Sequence, residues 1–455
     1  MPRALDGSTI CAISTAPGAG GIAVLRVSGP EALALSSSIF SKTLTPDADR
    51  RVVFGRILSG SDIVDEGLAL VLCGPGSYTG EDTVEFNIHG STFIQSEVIR
   101  LLILAGCRHA GPGEFTQRAF LNGRLDLTQA EAVADLIAAE HSGAHRLAVD
   151  QLRGNFSREI GALRSALIEF AGLLELELDF SEEDVEFADR TRFQELLTKL
   201  LSRVTSLADS FRAGNAIKSG VPIAILGAPN AGKSTLLNSL VGDDRAIVSD
   251  IAGTTRDIIE DTCTISGTLF RFIDTAGLRY TTDAIESEGI KRALAKASTA
   301  HSILYLLDTT VDTPTSASAA ISDLDLPGEV SVITVWNKCD LTPAPKELTP
   351  GSSATIEISA STGSGIEYLR ETLASSHSLD ASTASLVVTN ARHFEALVFA
   401  KESLLAVQSG LSGDIPSDLV AVDIREALHH LGSITGAVHA DDILGHIFSH
   451  FCIGK

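Results

Sequence analysis

The fold of the middle of the chain is decided by one stretch, Gly227-Ala228-Pro229-Asn230-Ala231-Gly232-Lys233-Ser234, which matches the pattern G-x-x-x-x-G-K-[ST]. An apolar run at residues 221–226 precedes the stretch, and a helix-like run at residues 235–240 follows it. In this order of strand, loop and helix, backbone N–H groups and the helix N-terminus face phosphate oxygens. Lys233 adds a positive charge, and the Ser234 hydroxyl can reach Mg²⁺. The stretch therefore predicts a phosphate-binding loop.

Three further loops follow in the order expected of a guanine-nucleotide site. An apolar strand ends in Asp274-Thr275-Ala276-Gly277, whose acid can hold the Mg²⁺ shell and whose glycine can approach the γ-phosphate. A second strand leads into Asn337-Lys338-Cys339-Asp340, whose carboxylate can accept two neighbouring N–H donors of guanine that adenine lacks. A third strand delivers Ser359-Ala360-Ser361, whose backbone N–H can meet the guanine carbonyl. Together with the phosphate loop, these loops predict a GTPase domain.

The catalytic residues depart from the Ras pattern. Leu278 follows the D-x-x-G loop, where Ras-type GTPases carry a glutamine that orients the attacking water. Asn230 and the oxygen-rich residues 249–257 could instead cage a monovalent cation, with Thr255 as the switch ligand of Mg²⁺. Glu286 is a candidate to position water. From spacing alone, Glu286 and Glu288 are interpreted equally well as solvated helix residues.

Composition is typical of a multidomain protein without a membrane segment. The 455 residues are enough for roughly two to four domains. We find neither a signal-like opening stretch nor an apolar run of membrane-spanning length, and we therefore expect a cytoplasmic protein. The cysteines and histidines lack the spacing of a disulfide framework or a zinc site. The net charge of −23, from 58 acidic and 35 basic residues, argues against strong binding of nucleic acid by this chain alone.

The hydrophobic pattern changes along the chain. Short β-branched runs at residues 22–27, 52–58, 68–73 and 83–88, with a helix near 95–105, predict an α+β region. The pattern becomes helical from Thr128, with Thr128 and Glu131 as the predicted capping box. Helix signals continue to about Arg212 with a break at residues 179–187, and they resume at 394–407 and 419–431 after a Ser-rich stretch. The two helical blocks most simply form one domain that is interrupted by the GTPase.

Segments throughout the chain resemble the MnmE (TrmE) family of potassium-dependent GTPases that modify tRNA. The nucleotide loops are shared with the related GTPases Era and Der, so the flanking segments at residues 15–29, 74–82, 89–90, 113–127 and 451–455 carry the resemblance. The resemblance implies a multidomain fold. It comprises an α+β N-terminal tetrahydrofolate-binding-like domain, an all-α helical domain and an inserted α/β Ras-like P-loop GTPase domain. The expected boundaries are 1–122 for the folate-binding and dimerisation domain, 123–218 and 379–455 for the helical domain, and 219–378 for the GTPase domain.

The resemblance also implies an activity and its partners. A potassium-dependent GTPase of this family works with the flavoprotein MnmG (GidA), which carries FAD. Together they add an aminomethyl or carboxymethylaminomethyl group to carbon 5 of the wobble uridine of certain tRNAs. The one-carbon unit comes from a 5-formyl- or 5,10-methylene-tetrahydrofolate. The implied assembly is a homodimer that forms a heterotetramer with MnmG, and the partner is expected to hold much of the tRNA.

The nucleotide-site residues that follow from the loops and the resemblance fall into three groups. The catalytic candidate is Glu286. The predicted GTP contacts are Asn230, Ala231, Gly232, Lys233, Ser234, Thr235, Ser249, Asp250, Ile251, Ala252, Gly253, Thr254, Thr255, Asp274, Thr275, Ala276, Gly277, Asn337, Lys338, Asp340, Ser359, Ala360 and Ser361. The predicted Mg²⁺ ligands are Ser234 and Thr255, and the predicted K⁺ ligands are Asn230, Ser249, Ile251 and Thr254.

The resemblance places a folate site in the N-terminal region. The positions that match the family's folate contacts are Arg26, Glu85, Arg124 and Lys455. A carboxylate can pair with pterin N–H donors, and the cationic side chains can meet the carboxylates of the folate glutamate. Arg124 stands where a lysine is common in the family. Cys452 is either a nucleophile near the one-carbon donor or a small buried residue of a terminal helix.

Two alternatives compete with the modification enzyme. A GTPase switch of the ribosome-assembly type would act only as a binding module, and it predicts an appended basic RNA-binding domain. The acidic helical flanks and the C-I-G-K end argue against that alternative. The other alternative is a folate-dependent aminomethyl transferase with a regulatory GTPase. Loss of the RNA modification on gene deletion, without a defect in glycine breakdown, would exclude it.

Overall fold

The computed structural model describes residues 7–179, 190–242, 260–274, 301–324, 330–345, 351–376, 386–412 and 417–438, together with Ile447, Phe451 and Gly454. Contacts between Cα atoms divide the chain into two compact units. The first unit comprises residues 1–138, 149–205 and 395–455, and the second comprises residues 139–148 and 206–394. Among the described residues, no helix combines the length and the apolar character that crossing a membrane requires.

The first unit begins with a mixed sheet in the order β3-β4-β5-β2-β1-β6. Its strands are β1 (Ile10–Ile13), β2 (Ile22–Ser28), β3 (Val52–Ser59), β4 (Asp62–Leu72), β5 (Thr83–His89) and β6 (Arg108–His109), and its helices are α1 (Ala32–Ser38), α2 (Thr92–Ala105) and α3 (Glu114–Leu121). Residues alternate between buried and half-buried along most of β2, which places Leu25 and Val27 in the core with Phe86 and Leu102. The α+β expectation for this region is confirmed.

Strand β4 begins earlier than its apolar run suggests. The sequence predicts a strand at residues 68–73, whereas β4 runs over Asp62–Leu72. Its first part pairs with β3 alone, from Asp62 opposite Ser59 onward, and its last part also pairs with β5. A two-stranded extension can expose both faces to water, so its polar residues give little hydrophobic signal.

The helical part of the first unit contains long amphipathic helices. The helices that lie wholly or partly in it are α4 (Leu127–Ala138), α5 (Ser142–Leu152), α6 (Asn155–Asp179), α7 (Arg190–Asp209), α12 (Ala391–Ser412) and α13 (Ser417–Thr435). Helix α6 packs against α13, so two segments far apart in sequence share one core. Apart from Asp179, the predicted break at residues 179–187 lies outside the described residues.

The capping box of α4 differs from the prediction. The Asp126 carboxylate accepts a hydrogen bond from the Gln129 N–H at 2.9 Å, and the Gln129 side chain accepts one from the Asp126 N–H at 3.0 Å. Thr128 instead donates to Asp126 at 2.7 Å and contacts the Ser157 hydroxyl. The prediction of a Thr128–Glu131 box is therefore wrong, because Asp126 occupies the cap two residues earlier and is a stronger cap than Thr.

The second unit contains a sheet in the order β12-β11-β10-β7-β9-β8. Its strands are β7 (Val221–Gly227), β8 (Glu260–Ile265), β9 (Thr268–Asp274), β10 (Ser302–Asp308), β11 (Ser331–Asn337) and β12 (Ala354–Glu357), and its helices include α8 (Phe211–Ser219), α9 (Lys233–Val241), α10 (Pro314–Ser322) and α11 (Ile366–Ser376). All pairings are parallel except that of β8 with β9. The parallel strands end at one edge, and the loops at that edge carry the nucleotide motifs. This is the α/β Ras-like fold that the sequence predicts.

Candidate functional site

The phosphate loop joins the end of β7 to the start of α9. Gly227 has φ +150°, and a Cβ added there would lie 2.3 Å from the Leu306 carbonyl oxygen. Gly232 has φ +100°, and a Cβ there would lie 2.3 Å from Asn337 Nδ2. Both positions therefore require glycine for steric reasons. Asn230, between them, is exposed and has φ +65°, a conformation that Asn tolerates better than most residues.

The polar side chains of this loop lie at its rim. Lys233 Nζ donates to the carbonyl oxygens of Gly227 at 2.7 Å and Ala228 at 2.8 Å, which holds its charge over the loop. Ser234 and Thr235 are exposed in the first turn of α9. Their hydroxyls are oxygen donors of the kind that Mg²⁺ prefers, and the helix N-terminus beside them favours anions. The loop therefore fits a magnesium-bound polyphosphate.

Asn337 connects the phosphate loop to the two guanine loops. It is the last residue of β11 and is 3 % exposed. Its Nδ2 donates to the Ala231 carbonyl oxygen at 2.8 Å, and its Oδ1 accepts from the Ala360 N–H at 2.9 Å. One side chain thus brings together three of the predicted elements. The Ser359 hydroxyl contacts that of Ser361 at 3.1 Å within the last loop.

Lys338 is held in an unusual conformation by residues that the sequence analysis missed. It has φ +67°, and its Nζ lies 2.6 Å from Asp308 Oδ2. Burial alone would raise the pKa of Asp308, but hydrogen bonds from Lys338 and Thr310 outweigh burial and hold that pKa below its ordinary value. Thr309 donates to the carbonyl oxygens of Asn337 and Lys338, both at 3.0 Å. The sequence alone provides no signal for this pair, because Asp308 ends β10, which lies beside β11 only through the strand order of the sheet.

Asp340 and Asp274 complete the described part of the predicted nucleotide site. Asp340 is exposed in the turn after β11, where its carboxylate is accessible to a base. Asp274 is the last residue of β9 and lies opposite Ile225 of β7, close to the start of the phosphate loop. The remaining predicted positions lie outside the described residues: Ser249, Asp250, Ile251, Ala252, Gly253, Thr254, Thr255, Thr275, Ala276, Gly277, Leu278 and Glu286.

Two of the folate candidates form a cross-strand ion pair. Arg26 of β2 lies opposite Glu85 of β5, and both Nε and Nη2 of the guanidinium lie 2.8 Å from Glu85 Oε1. The guanidinium carbon lies 5.1 Å from the ring centroid of Tyr78 and 5.5 Å from that of Phe115. These aromatic contacts favour a fixed cation. Arg124 is exposed after α3, whereas Lys455 and Cys452 lie outside the described residues.

A buried charge network lies in the same part of the first unit, and the sequence analysis did not single it out. Arg118, 2 % exposed, donates to Glu114 at 3.0 Å and to Glu81 at 3.0 Å. Arg108 also pairs with Glu114. Arg118 donates further to the Ser8 carbonyl oxygen at 2.8 Å. The network ties the loop that contains Glu81 to α3 and to the start of β1. Its sequence signal is weak because its members are far apart in the chain.

Within the part of the chain that the structure describes, no group of three or more His, Cys, Asp or Glu side chains could hold a metal ion. The oxygen donors of Asn230, Ser234 and Thr235 suit hard cations, which are expected to share their coordination with phosphate oxygens. The phosphate loop and the guanine loops at the carboxyl edge of a Ras-like sheet define a P-loop GTPase.

Comparison with known proteins identifies the family. The family described as GTP-binding protein TrmE N-terminus matches residues 9–124, and the MnmE helical domain matches residues 127–452. The tRNA modification GTPase MnmE of Parabacteroides distasonis is 49% identical over 461 residues, which cover 98% of this chain and 100% of that protein. Its counterpart in Flavobacterium johnsoniae is 47% identical over 467 residues, covering 99% of this chain and 100% of that protein.

A solved structure of Era with MgGDPNP and nucleotides of 16S ribosomal RNA is 26% identical. It covers 40% of this chain and 66% of that chain, with a TM-score of 0.28. The chain belongs to the MnmE family of tRNA modification GTPases. It is accordingly an enzyme of the GTP hydrolase class that takes part in tRNA modification.

Proposed function

We propose that this GTPase acts with a flavoprotein partner of the MnmG (GidA) type on carbon 5 of the wobble uridine of certain tRNAs. The product is an aminomethyl or carboxymethylaminomethyl uridine, and GTP hydrolysis drives the conformational cycle of the complex. The GTPase activity in this proposal is supported by the Asn337 side chain, whose two hydrogen bonds join the phosphate loop to the Ser359–Ser361 loop. We call this contact the Asn337 bridge. The family membership supports the tRNA part.

The nucleotide site is proposed to use Mg²⁺ and K⁺. Ser234 and Thr255 would hold Mg²⁺, and Asn230 with Ser249, Ile251 and Thr254 would hold K⁺. When bound, these cations supply positive charge beside the bridging oxygen that gains charge during hydrolysis. Asn230 fits this role because its side chain is exposed at the tip of the phosphate loop. Glu286 remains the proposed residue that positions water.

The folate site is proposed to lie at the Arg26–Glu85 pair. Since the two side chains are in direct contact, both would meet the same end of a bound tetrahydrofolate. Glu85 is the acceptor suited to pterin N–H donors, so that end is proposed to be the pterin. This assignment leaves Arg124 and Lys455 for the carboxylates of the glutamate tail. Cys452 remains a candidate thiol near the one-carbon unit.

The proposed assembly is a homodimer that binds two copies of the partner, with the FAD on the partner. The net charge of −23 disfavours extensive tRNA binding by this chain, so the partner is proposed to supply much of the protein surface that binds the tRNA. The domain boundaries 1–122, 123–218, 219–378 and 379–455 are proposed for this assembly. Because tRNA is its substrate, we propose that the complex acts in the cytoplasm.

The experiment that tests the GTPase mechanism compares steady-state GTP hydrolysis in KCl and in NaCl at equal ionic strength. We expect a rate at least about tenfold higher in KCl, because a well-placed charge contributes on that scale or more. The Asn230→Ala variant should lose the preference for K⁺ and keep its affinity for GDP. Equal rates of the unsubstituted protein in both salts would exclude the potassium mechanism and would leave the family membership untouched.

A further inference from the structure

A cavity of about 550 Å³ lies in the second unit, at the opposite edge of the sheet from the nucleotide loops. It is lined by the first residues of β7 and β9, Val221 and Thr268, and by His301, which directly precedes β10. The phosphate loop follows the other end of β7, at Gly227. The length of a strand therefore separates the cavity from the GTP site.

The charge of the cavity wall is opposite to that of the chain. The side chains that can carry positive charge are Arg146, Arg212, His141 and His301, whereas Asp209 is the acidic residue of the lining. In the whole chain, 58 acidic residues outnumber 35 basic ones. Such a local reversal attracts an anion. Leu147, Ala213, Ala216 and Ile217 supply apolar surface on the same wall.

His141 is a buried residue of this wall. The residue is 9 % exposed, and its Nδ1 accepts a hydrogen bond from the Ala144 N–H at 3.3 Å. Burial lowers the pKa of His141, an effect that the Lys218 carbonyl oxygen partly offsets. The ring is therefore packed within the wall, in the same lining as the two arginines.

The beginning of α5 adds a second positive feature. Helix α5 has 11 residues and begins at Ser142, and both Ser142 and Gly143 line the cavity. The first N–H groups of a helix lack intrahelical acceptors and carry partial positive charge. The helix start, the two arginines and the two histidines line one cavity. An anion in this cavity would gain from several positive features at once.

We propose that this cavity binds a small organic anion. Its carboxylate or phosphate group meets Arg146 and Arg212 beside the His141 and His301 rings, and its apolar body packs on Ala213, Ala216 and Ile217 of α8. The site is distinct from the GTP and folate sites. The proposal does not depend on the identity of the modified nucleoside or of the partner.

The test uses the full chain saturated with GDP and Mg²⁺, so that the phosphate loop is occupied. Phenyl phosphate and phenylacetate are titrated while the ¹H–¹³C resonances of the histidine rings are recorded by NMR. His141→Gln and His301→Gln variants assign the two resonances. We expect the ring resonances of both histidines to shift on titration and to give a common Kd on the order of 1 mM, which is typical of a ligand of this size. The tighter probe identifies the preferred anionic group, and the neutral 2-phenylethanol should leave both rings unshifted.

Charge and volume variants make the result decisive. Arg146→Gln and Arg212→Gln should each weaken binding about tenfold, since each removes a charge-assisted contact. Arg153→Gln is the matched control, because Arg153 is exposed just beyond α5 and is not part of the lining. Ala213→Phe should abolish binding by filling the cavity without altering charge. The proposal is overturned if the rings fail to shift at about 20 mM probe, if 2-phenylethanol binds equally well, or if both arginine variants bind like the unsubstituted protein.

Discussion

Asn337 illustrates how one side chain can organise a site. Its amide satisfies the Ala231 carbonyl oxygen with one end and the Ala360 N–H with the other, so its orientation is fixed by chemistry. Both partners are backbone groups of loops that the sequence assigns to nucleotide binding. The N-K-x-D pattern therefore has a structural role in addition to any contact with the base. Its asparagine sets the distance between the phosphate loop and the guanine loop.

Replacing Asn337 by Ala should weaken GDP binding by about 100-fold. The substitution leaves two backbone groups unpaired, and each such loss costs about 1–3 kcal/mol in a buried environment. Titration of a fluorescent GDP analogue into the full chain measures the effect. Asn238→Ala, at an exposed position of α9, is the control and should bind GDP normally. Similar affinities for the two variants would show that the bridge does not organise the site.

Gly232→Ala should also impair nucleotide binding, because the added Cβ would lie 2.3 Å from Asn337 Nδ2 and push the bridge apart. Gly242→Ala is a matched control. Gly242 also has positive φ, +46°, but the nearest atom to an added Cβ is 3.9 Å away. Both variants carry backbone strain of roughly 1 kcal/mol. If GDP affinity falls equally in both, strain and not the clash with Asn337 is responsible.

At the scale of helices and strands, the sequence predicted those elements that a local hydrophobic or glycine pattern specifies. The predicted order of strand, loop and helix around Lys233 was correct, and so were the strands predicted from the apolar runs of β2, β3 and β5. These predictions succeeded because burial patterns and glycine positions are local features of the sequence. The Lys338–Asp308 pair and the Arg26–Glu85 contact depend on strand order and register. A single sequence does not specify register over such separations. The cap of α4 was misplaced because Asp126 and Thr128 are both acceptable caps, although Asp is the stronger of the two.

Glu114 at the start of α3 should make the first unit sensitive to acid. Burial alone would raise the pKa of Glu114, but hydrogen bonds from Arg108, the Gly111 N–H and Arg118 outweigh burial and hold it below its ordinary value. A lowered folded-state pKa adds stability above about pH 4.3, the ordinary value for Glu. That stability is lost as the pH falls through the folded-state pKa.

Glu114→Gln should therefore reduce the opening free energy of α3 by about 2 kcal/mol at pH 7, with a much smaller difference from the unsubstituted protein below pH 3. Amide hydrogen exchange of residues 108–121 measures this locally. Trp336, the single tryptophan, lies in the second unit, so its fluorescence should be unchanged. Glu97→Gln is the control, since Glu97 pairs with Arg100 on the surface of α2. A loss that persists equally at pH 3 would contradict the ionic origin.

At the scale of the whole molecule, the nucleotide loops and the proposed folate residues belong to different units. The nucleotide loops belong to the second unit, and the folate candidates Arg26 and Glu85 belong to the first. Each set rests on a core of its own, one around β7 and α9 and the other around β2 and α2. A substitution among the candidate folate residues should therefore leave GTP hydrolysis unchanged, and a substitution in the nucleotide loops should leave folate binding unchanged. The two sites can be tested independently in the same full-length protein.

Arg26→Ala and Glu85→Ala should each weaken binding of 5-formyl-tetrahydrofolate by at least about tenfold and leave GTP hydrolysis in KCl unchanged. The pair is only partly exposed, with side-chain exposures of 18% and 19%, so a ligand there gains from charges that are already oriented. The first unit offers a matched control in Arg56 and Glu66, a cross-strand pair of the same sheet with exposures of 55% and 47%. Arg56→Ala should bind folate normally by calorimetry. Equal folate affinity in the Arg26 and Arg56 variants would remove the folate assignment, and a parallel fall in GTP hydrolysis would show that the units are not independent.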